Sequence, residues 1–347
     1  MRIFTYRNKH RMKRAALLLC FILLAIVVVF FCLFQYLQRY LVYTENGVQL
    51  QFPGATQPSD PVPEVSGEYV VGDPVQAPVS GKIDQLPTTE QTLNPISGFF
   101  ITYDMLLDPD AVQAALEEVP DGSAVLLDLK SIYGNFYYSS TISGTSNAAT
   151  IDTAAVDSLI QTLQQRDLYR IARIPAFRDN AFALAHQSEG LPLSSGALWM
   201  DTDGCYWLNP SSTQVQDYLK QICLELNALG FDEVVLSDFY FPQSANIVFT
   251  GERSRRETVT ASAQALLDAL SDHQITLSFD LTNCTEDYPL VAEKIRRYFP
   301  LSDGSAVQAT VSLYGADLTD STAQLVFLTT SRDTRFTKCS YLRPLIP

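Results

Sequence analysis

The stretch best placed to do chemistry is Phe231 to Pro242, FDEVVLSDFYFP. A helical segment ending at Leu229-Gly230 leads into a short apolar run rich in β-branched and aromatic residues, which closes on Asp238 and a proline. That pattern predicts a buried parallel strand delivering a carboxylate to its C-terminal end, where α/β barrels build their sites. Two other runs end in the same way. Gln274 to Leu281, QITLSFDL, carries Asp280, and Ser123 to Lys130, SAVLLDLK, carries Asp128 and Lys130. Paired carboxyl groups serve glycoside hydrolysis: one protonates the leaving oxygen while the other acts as nucleophile or activates water. Asp238 and Asp280, on neighbouring strands, are the first pair and Asp128 the third candidate. Asp238 is read as nucleophile or stabiliser and Asp280 as its partner, with the roles exchangeable. Arg173, near the end of LYRIARI (Leu168 to Ile174), joins Lys130 as an orienting donor. The plainer alternatives are an Asp238 that caps its loop, an Asp280 bonded within its own loop, and a buried charge network of Asp128, Lys130 and Arg173.

The elements that must position these groups alternate. Gly98 to Met105 reads as a first strand, followed by a helix opened by Asp108-Pro109 and running to Glu118. Helical spacing recurs over Asp152 to Gln165, Ser212 to Leu229, Thr258 to Leu270 and Tyr288 to Tyr298. Ala306 to Tyr314, Gln324 to Thr330 and Thr337 to Leu342 read as further strands, with Tyr314 placed among the substrate-contacting residues. Strands separated by helices of ten to fifteen residues predict an α/β fold, a (β/α)8 TIM-like barrel. Because the chain stops at Arg343-Pro344-Leu345-Ile346-Pro347, the barrel is expected to be incomplete or atypically closed at its C-terminus. A long excursion, Pro175 to Asn209, interrupts the pattern, and segments of that length in compact domains usually build a site.

The same words carry a resemblance. FDEVVLSDFYFP resembles the F-D-E-I-Q-F-D-Y-V-R-F-P of the glycoside-hydrolase-like TIM-barrel domains of bacterial envelope proteins, a mostly uncharacterised family. LLDLKSIYG, IARIPAFRD, ALWMDTDGCYWLNP and LSFDL are similar to further motifs of that family, through Asp128, Lys130, Trp199, Asp201, Trp207 and Asp280 among others. The resemblance implies a barrel over most of residues 98 to 345, a carbohydrate substrate and no cofactor. It places Ser237 on the family aspartate and Asp238 one residue later. Successive strand side chains face opposite ways, so the slip would turn Asp238 outward unless a bulge corrected it. Trp199 and Trp207, the chain's only tryptophans, are expected either to stack sugar rings beside Asp201 or to staple the excursion.

Composition bounds the setting. Residues 1–14 carry six basic side chains and no acid, so the remainder carries −20 against a total of −14. No basic surface remains to neutralise phosphates, which argues against a nucleic-acid partner. Ala15 to Phe34 is twenty consecutive apolar residues, about 30 Å of helix, and predicts a single transmembrane span over residues 15–37 with a cytoplasmic tail at 1–14. The lipid bilayer is then one partner and a polysaccharide or glycan the other, with the C-terminal domain extracellular. A membrane-proximal hairpin or strand is expected over 38–52, a proline-rich linker over 53–96 and the barrel over 97–347. No metal-ligand spacing occurs: C-x-x-C is absent and the histidines are His10, His186 and His273. There is no G-x-S-x-G, no phosphate-binding Walker loop and no G-x-G-x-x-G after a strand. The reading is a membrane-anchored glycoside-hydrolase-like protein. A barrel kept as a non-enzymatic glycan- or protein-binding module is the alternative, and a structural spacer the third.

Overall fold

The structure is a computed structural model that describes residues 41–44, 47–50, 93–282, 295–300, 304–315, 318, 320–330 and 339–346. The chain divides into two units, Met1–Asp84 and Gln85–Pro347. In the first, strands Leu41–Thr44 and Gly47–Leu50 pair antiparallel, with Thr44 opposite Gly47. The apolar run 15–34 lies outside the described residues, as does nearly all of the proline-rich stretch. Among the described residues no helix is long and apolar enough to cross a membrane.

The second unit is built on eight parallel strands: β1 (Ser97–Ile101), β2 (Ala124–Asp128), β3 (Tyr169–Pro175), β4 (Glu233–Ser237), β5 (Thr276–Asp280), β6 (Arg297–Pro300), β7 (Leu325–Leu328) and β8 (Ser340–Pro344). Each pairs with the next, and β8 pairs with β1 through Tyr341 opposite Ser97 and Pro344 opposite Phe100, which closes the barrel. The expectation of an open or atypical C-terminus is corrected here. The Arg343-Pro344 dipeptide is itself the end of the last strand, so nothing beyond it is needed for closure.

Two layers of core follow from strand alternation. Leu126, Ile171, Val235, Tyr298, Val326 and Leu342 cluster inside the barrel. Their neighbours Val125, Leu127, Ala172, Val234 and Leu236 face the surrounding helices. At about 25 cal/mol per Å², such burial is the main favourable term of the fold. Gly98 sits where β1 presses on β2, and a Cβ there would lie 1.8 Å from the carbonyl oxygen of Ala124.

The helices begin where their caps dictate. Asp108 accepts from the Ala111 amide and Pro109 takes the first position of Pro109–Glu117. Asp152 caps Thr153–Gln164, Ser212 caps Thr213–Ala228, and Ser254 with Glu257 forms a capping box on Arg255–Leu270.

Two expectations for the C-terminal third are overturned. Ala306 to Tyr314 is not a strand but part of a helix, Gly304–Tyr314. Its β-branched content mimics a strand, yet Val307, Val311 and Tyr314 fall at helical spacing and pack on the core. The sixth strand is instead RYFP, Arg297–Pro300, where the end of a helix had been expected. Most of that expected helix, positions 288–294, lies outside the described residues.

Candidate active site

Inward alternation on β2, β3 and β5 puts Asp128, Arg173 and Asp280 at the C-terminal mouth of the barrel. Arg173 lies opposite Asp128 in the β2–β3 register and clamps it with two bonds, Nε to Oδ1 at 2.7 Å and Nη2 to Oδ2 at 3.0 Å. Its Nη1 reaches across β4 to Asp280 Oδ2 at 3.4 Å. Asp280 is buried, and its other oxygen accepts from the amide of Thr282 at 3.0 Å and from the Thr282 hydroxyl. One guanidinium therefore joins two carboxylates, and Asp280 is fixed by its own loop as well. Both plainer alternatives for these residues hold in part.

Asp238 is different in kind. Strand β4 ends at Ser237, whose inward parity matches Val235 beneath it. The next residue would face outward in an extended strand. Instead Asp238 has φ +50°, a left-handed conformation that Asp tolerates better than most residues, and both Ser237 and Asp238 line the cavity. A backbone kink thus undoes the one-residue slip. Among the described residues no hydrogen bond or ion pair reaches the Asp238 carboxyl. Burial raises its pKa to about 6; Arg178 pulls the other way and the Asp280 charge adds to the rise. It is an acid able to hold a proton close to neutral pH.

These groups open into a cavity of about 720 Å³. One wall is aromatic: Tyr103, just past β1, and Tyr133 and Tyr137, in the loop after β2. Tyr103 and Tyr137 lie 5.3 Å apart at 42°, and the Tyr103 hydroxyl is 2.9 Å from that of Thr150. Tyr133 is 46% exposed, with its hydroxyl donating to the Asp203 carbonyl at 3.3 Å. Burial first, and then the Asp128 charge, pushes the Tyr137 phenol well above its ordinary value. Tyr103 and Thr282 were not singled out from sequence, and Ser237 was named only for its place opposite the family aspartate. The available signal was position, since each lies within two residues of the C-terminal end of a strand.

Lys130 borders the cavity without being free to serve it. Its ammonium is 2.7 Å from Asp179 Oδ2 and donates to the Pro175 carbonyl at 3.0 Å, with both charged side chains wholly buried. Asp179 also accepts from Tyr218 at 2.9 Å and from the Phe182 amide at 2.8 Å, and a Cβ on Gly134 would come within 2.2 Å of it. The pair locks the loops after β2 and β3 together beneath the site.

The excursion does not bring its tryptophans to the cavity. Trp207 is 2% exposed and donates from Nε1 to Asp201 at 2.8 Å. Trp199 lies 6.3 Å from Trp207, and Trp207 meets Tyr240 edge-on at 5.0 Å. Arg178 bonds Asp201 at 2.7 Å and Asp203 at 2.5 Å. Although burial opposes it, donation from Trp207, the Cys205 amide and Arg178 holds the Asp201 carboxyl below its ordinary pKa. This is a staple rather than a platform. Tyr314 closes its helix with its ring 5.2 Å from that of Phe299, away from the cavity lining.

The sequence profile of a family described as "Putative glycosyl hydrolase domain" matches residues 98–295, more than half of the chain. Among solved structures, a hypothetical protein from Ruminiclostridium thermocellum ATCC 27405 is similar over 53% of this chain and 97% of its own, at 21% identity and a TM-score of 0.44. The α-galactosidase from Lactobacillus brevis is similar over 73% of this chain at 7% identity, with a TM-score of 0.49. A cycloisomaltooligosaccharide glucanotransferase from Paenibacillus sp. is similar over 68% at 15% identity, with a TM-score of 0.48. The chain spans 37% and 38% of the lengths of these last two. Among curated proteins no match is found.

Proposed function

Because the chain belongs to this glycosyl-hydrolase-domain family, we propose that the barrel hydrolyses glycosidic bonds of a cell-envelope or extracellular polysaccharide. The observation that carries the reading is Asp238: a carboxyl with no bonding partner among the described residues, opening into the mouth, its pKa raised to about 6. Such a group suits the general acid, which must be protonated before the reaction and give its proton to the leaving oxygen. Asp280, held by Arg173 and Thr282, is the partner carboxylate that acts as nucleophile or activates water. Asp128 orients Arg173. The preference for Asp238 as the acid narrows the exchangeable roles read from sequence. The basic tail followed by a twenty-residue apolar run supports an anchor that leaves the barrel outside the membrane.

One observation favours the alternative of a non-enzymatic binding module: Asp280 is already ion-paired with Arg173. The test is reducing-sugar release by the full chain in detergent on wall and capsular polysaccharides, beside Asp238→Asn and Asp280→Asn. Release that either substitution abolishes supports the hydrolase. Binding without release, retained in both variants, would put the binding module in its place.

A further inference from the structure

We infer that the glycan taken by the mouth carries free amino groups, as a deacetylated hexosamine polymer does. The inference rests on the reading of the mouth as a glycan site and names the charge class of its ligand. Acids are in excess there. Leaving out Asp238, whose proton the reaction needs, Asp128 and Asp280 line the cavity, and Asp104 stands near enough to Tyr137 to act on its phenol. Among the described residues, the cations that line or border the mouth are already bonded to carboxylate: Arg173 to Asp128 and Asp280, Lys130 to Asp179, and Arg178 to Asp201 and Asp203. Each of these positive charges is matched by at least one carboxylate, so none stands unpaired to receive a uronate or a phosphate. Charges of one sign in a low-dielectric cleft repel anionic ligands and concentrate cationic ones.

The aromatic wall fits the same ligand. Tyr103 and Tyr137 stand next to Asp128, and an ammonium over a tyrosine face beside a carboxylate gains from both. Asp128 accepts, among the described residues, only from Arg173, so each of its oxygens keeps a lone pair for a ligand N–H. The mouth therefore distinguishes a free amine from its acetylated form by charge.

The experiment is calorimetric titration of the full-length chain in detergent, carrying Asp238→Asn so that binding is read apart from hydrolysis. The ligands are chitosan oligomers, the same oligomers after N-acetylation, and oligogalacturonate. The expected result is binding of the free-amine oligomers roughly tenfold or more tighter than their acetylated forms, weakening as salt rises from about 0.05 to about 0.5 M, and none for the uronate. Asp128→Asn should shrink the preference. If that variant fails to fold, acetylation of the ligand still reads the preference on the Asp238→Asn protein alone, with Asp128 in place. Equal or better binding of the acetylated or uronate oligomers, or no amine-dependent binding, overturns the inference. Hydrolysis is scored separately on the wild type. An amine preference without release sinks the hydrolase and leaves this inference standing, and release confined to acetylated or anionic polymers does the reverse.

Discussion

Both ends of the barrel hold an arginine among acids and tyrosines, and they use them in opposite ways. At the N-terminal floor, Glu233 accepts from Arg296 at 2.5 Å, from Tyr169 at 2.9 Å and from Tyr298 at 2.8 Å, and it is wholly buried. Arg296 also ties the entry to β1 by donating to the Asn94 carbonyl at 2.9 Å. At the mouth, Arg173 holds Asp128 and Asp280 in a similar clasp, but Asp238 beside them has no donor among the described residues and faces an open cavity. At the floor the Glu233 carboxylate is fully answered and, within this cluster, only Arg296 Nε lacks an acceptor among the described residues, whereas the mouth leaves a whole carboxyl unanswered. A buried ion pair contributes little net stability when complete and costs much when broken. An unanswered carboxyl costs stability from the start and is retained where chemistry requires it.

The largest effect that would break this contrast is at Asp238. Asp238→Asn should lower kcat for sugar release by about 10²- to 10⁴-fold, the usual worth of a general acid. It should also stabilise the fold at neutral pH. With a folded pKa of about 6 against an ordinary 3.8, the native state binds the proton more tightly. Stability from this group is complete below about pH 4 and is lost as pH rises through about 6, a loss on the order of 2–3 kcal/mol at most, since the group is partly exposed. A melting-temperature gain for the variant at pH 7.5 that disappears below pH 4 is the signature. No gain at pH 7.5 would contradict the assigned environment.

Next in size is the floor. Glu233→Gln leaves Arg296 buried against a neutral amide and should destabilise the protein by about 3–5 kcal/mol in urea unfolding, with turnover per folded molecule unchanged. A fall in turnover matching that at Asp238 would show that the two ends are not functionally separate. The pH profile comes third. With Asp238 protonated in the active form, kcat/KM should drop about tenfold per unit above pH 6. A profile flat from pH 5 to 8 would remove Asp238 from the acid's role. The smallest effect belongs to Trp199→Ala. Because Trp199 lies off the cavity lining, catalysis should change by less than about threefold, consistent with the few tenths of a kcal/mol typical of such sites.

How far the site could be read from sequence depended on what held each residue in place. Asp128, Arg173 and Asp280 were legible because strand parity and strand ends are local properties of the chain. Asp238 was legible as an acid but not as a member of the cavity, because its direction depends on the sign of one backbone angle that spacing does not encode. Lys130 looked like a free donor, since its partner Asp179 lies on another loop and their meeting is tertiary. The tryptophans looked like a platform for the same reason: Asp201 and Arg178 decide where Trp207 turns. In the fold, seven strands followed from apolar runs between helices. The sixth was misplaced because β-branched residues at helical spacing outweighed a four-residue strand.

The left-handed residue at the end of β4 also limits what can be altered there. A carboxylate borne on a straight strand can be exchanged for its homologue, since either backbone is indifferent to one more methylene. At position 238 the backbone chooses first, charging most side chains about 1–2 kcal/mol for a conformation that Gly, Asn and Asp adopt readily. The alphabet open to this position is therefore nearly three letters long, and only one of them is an acid.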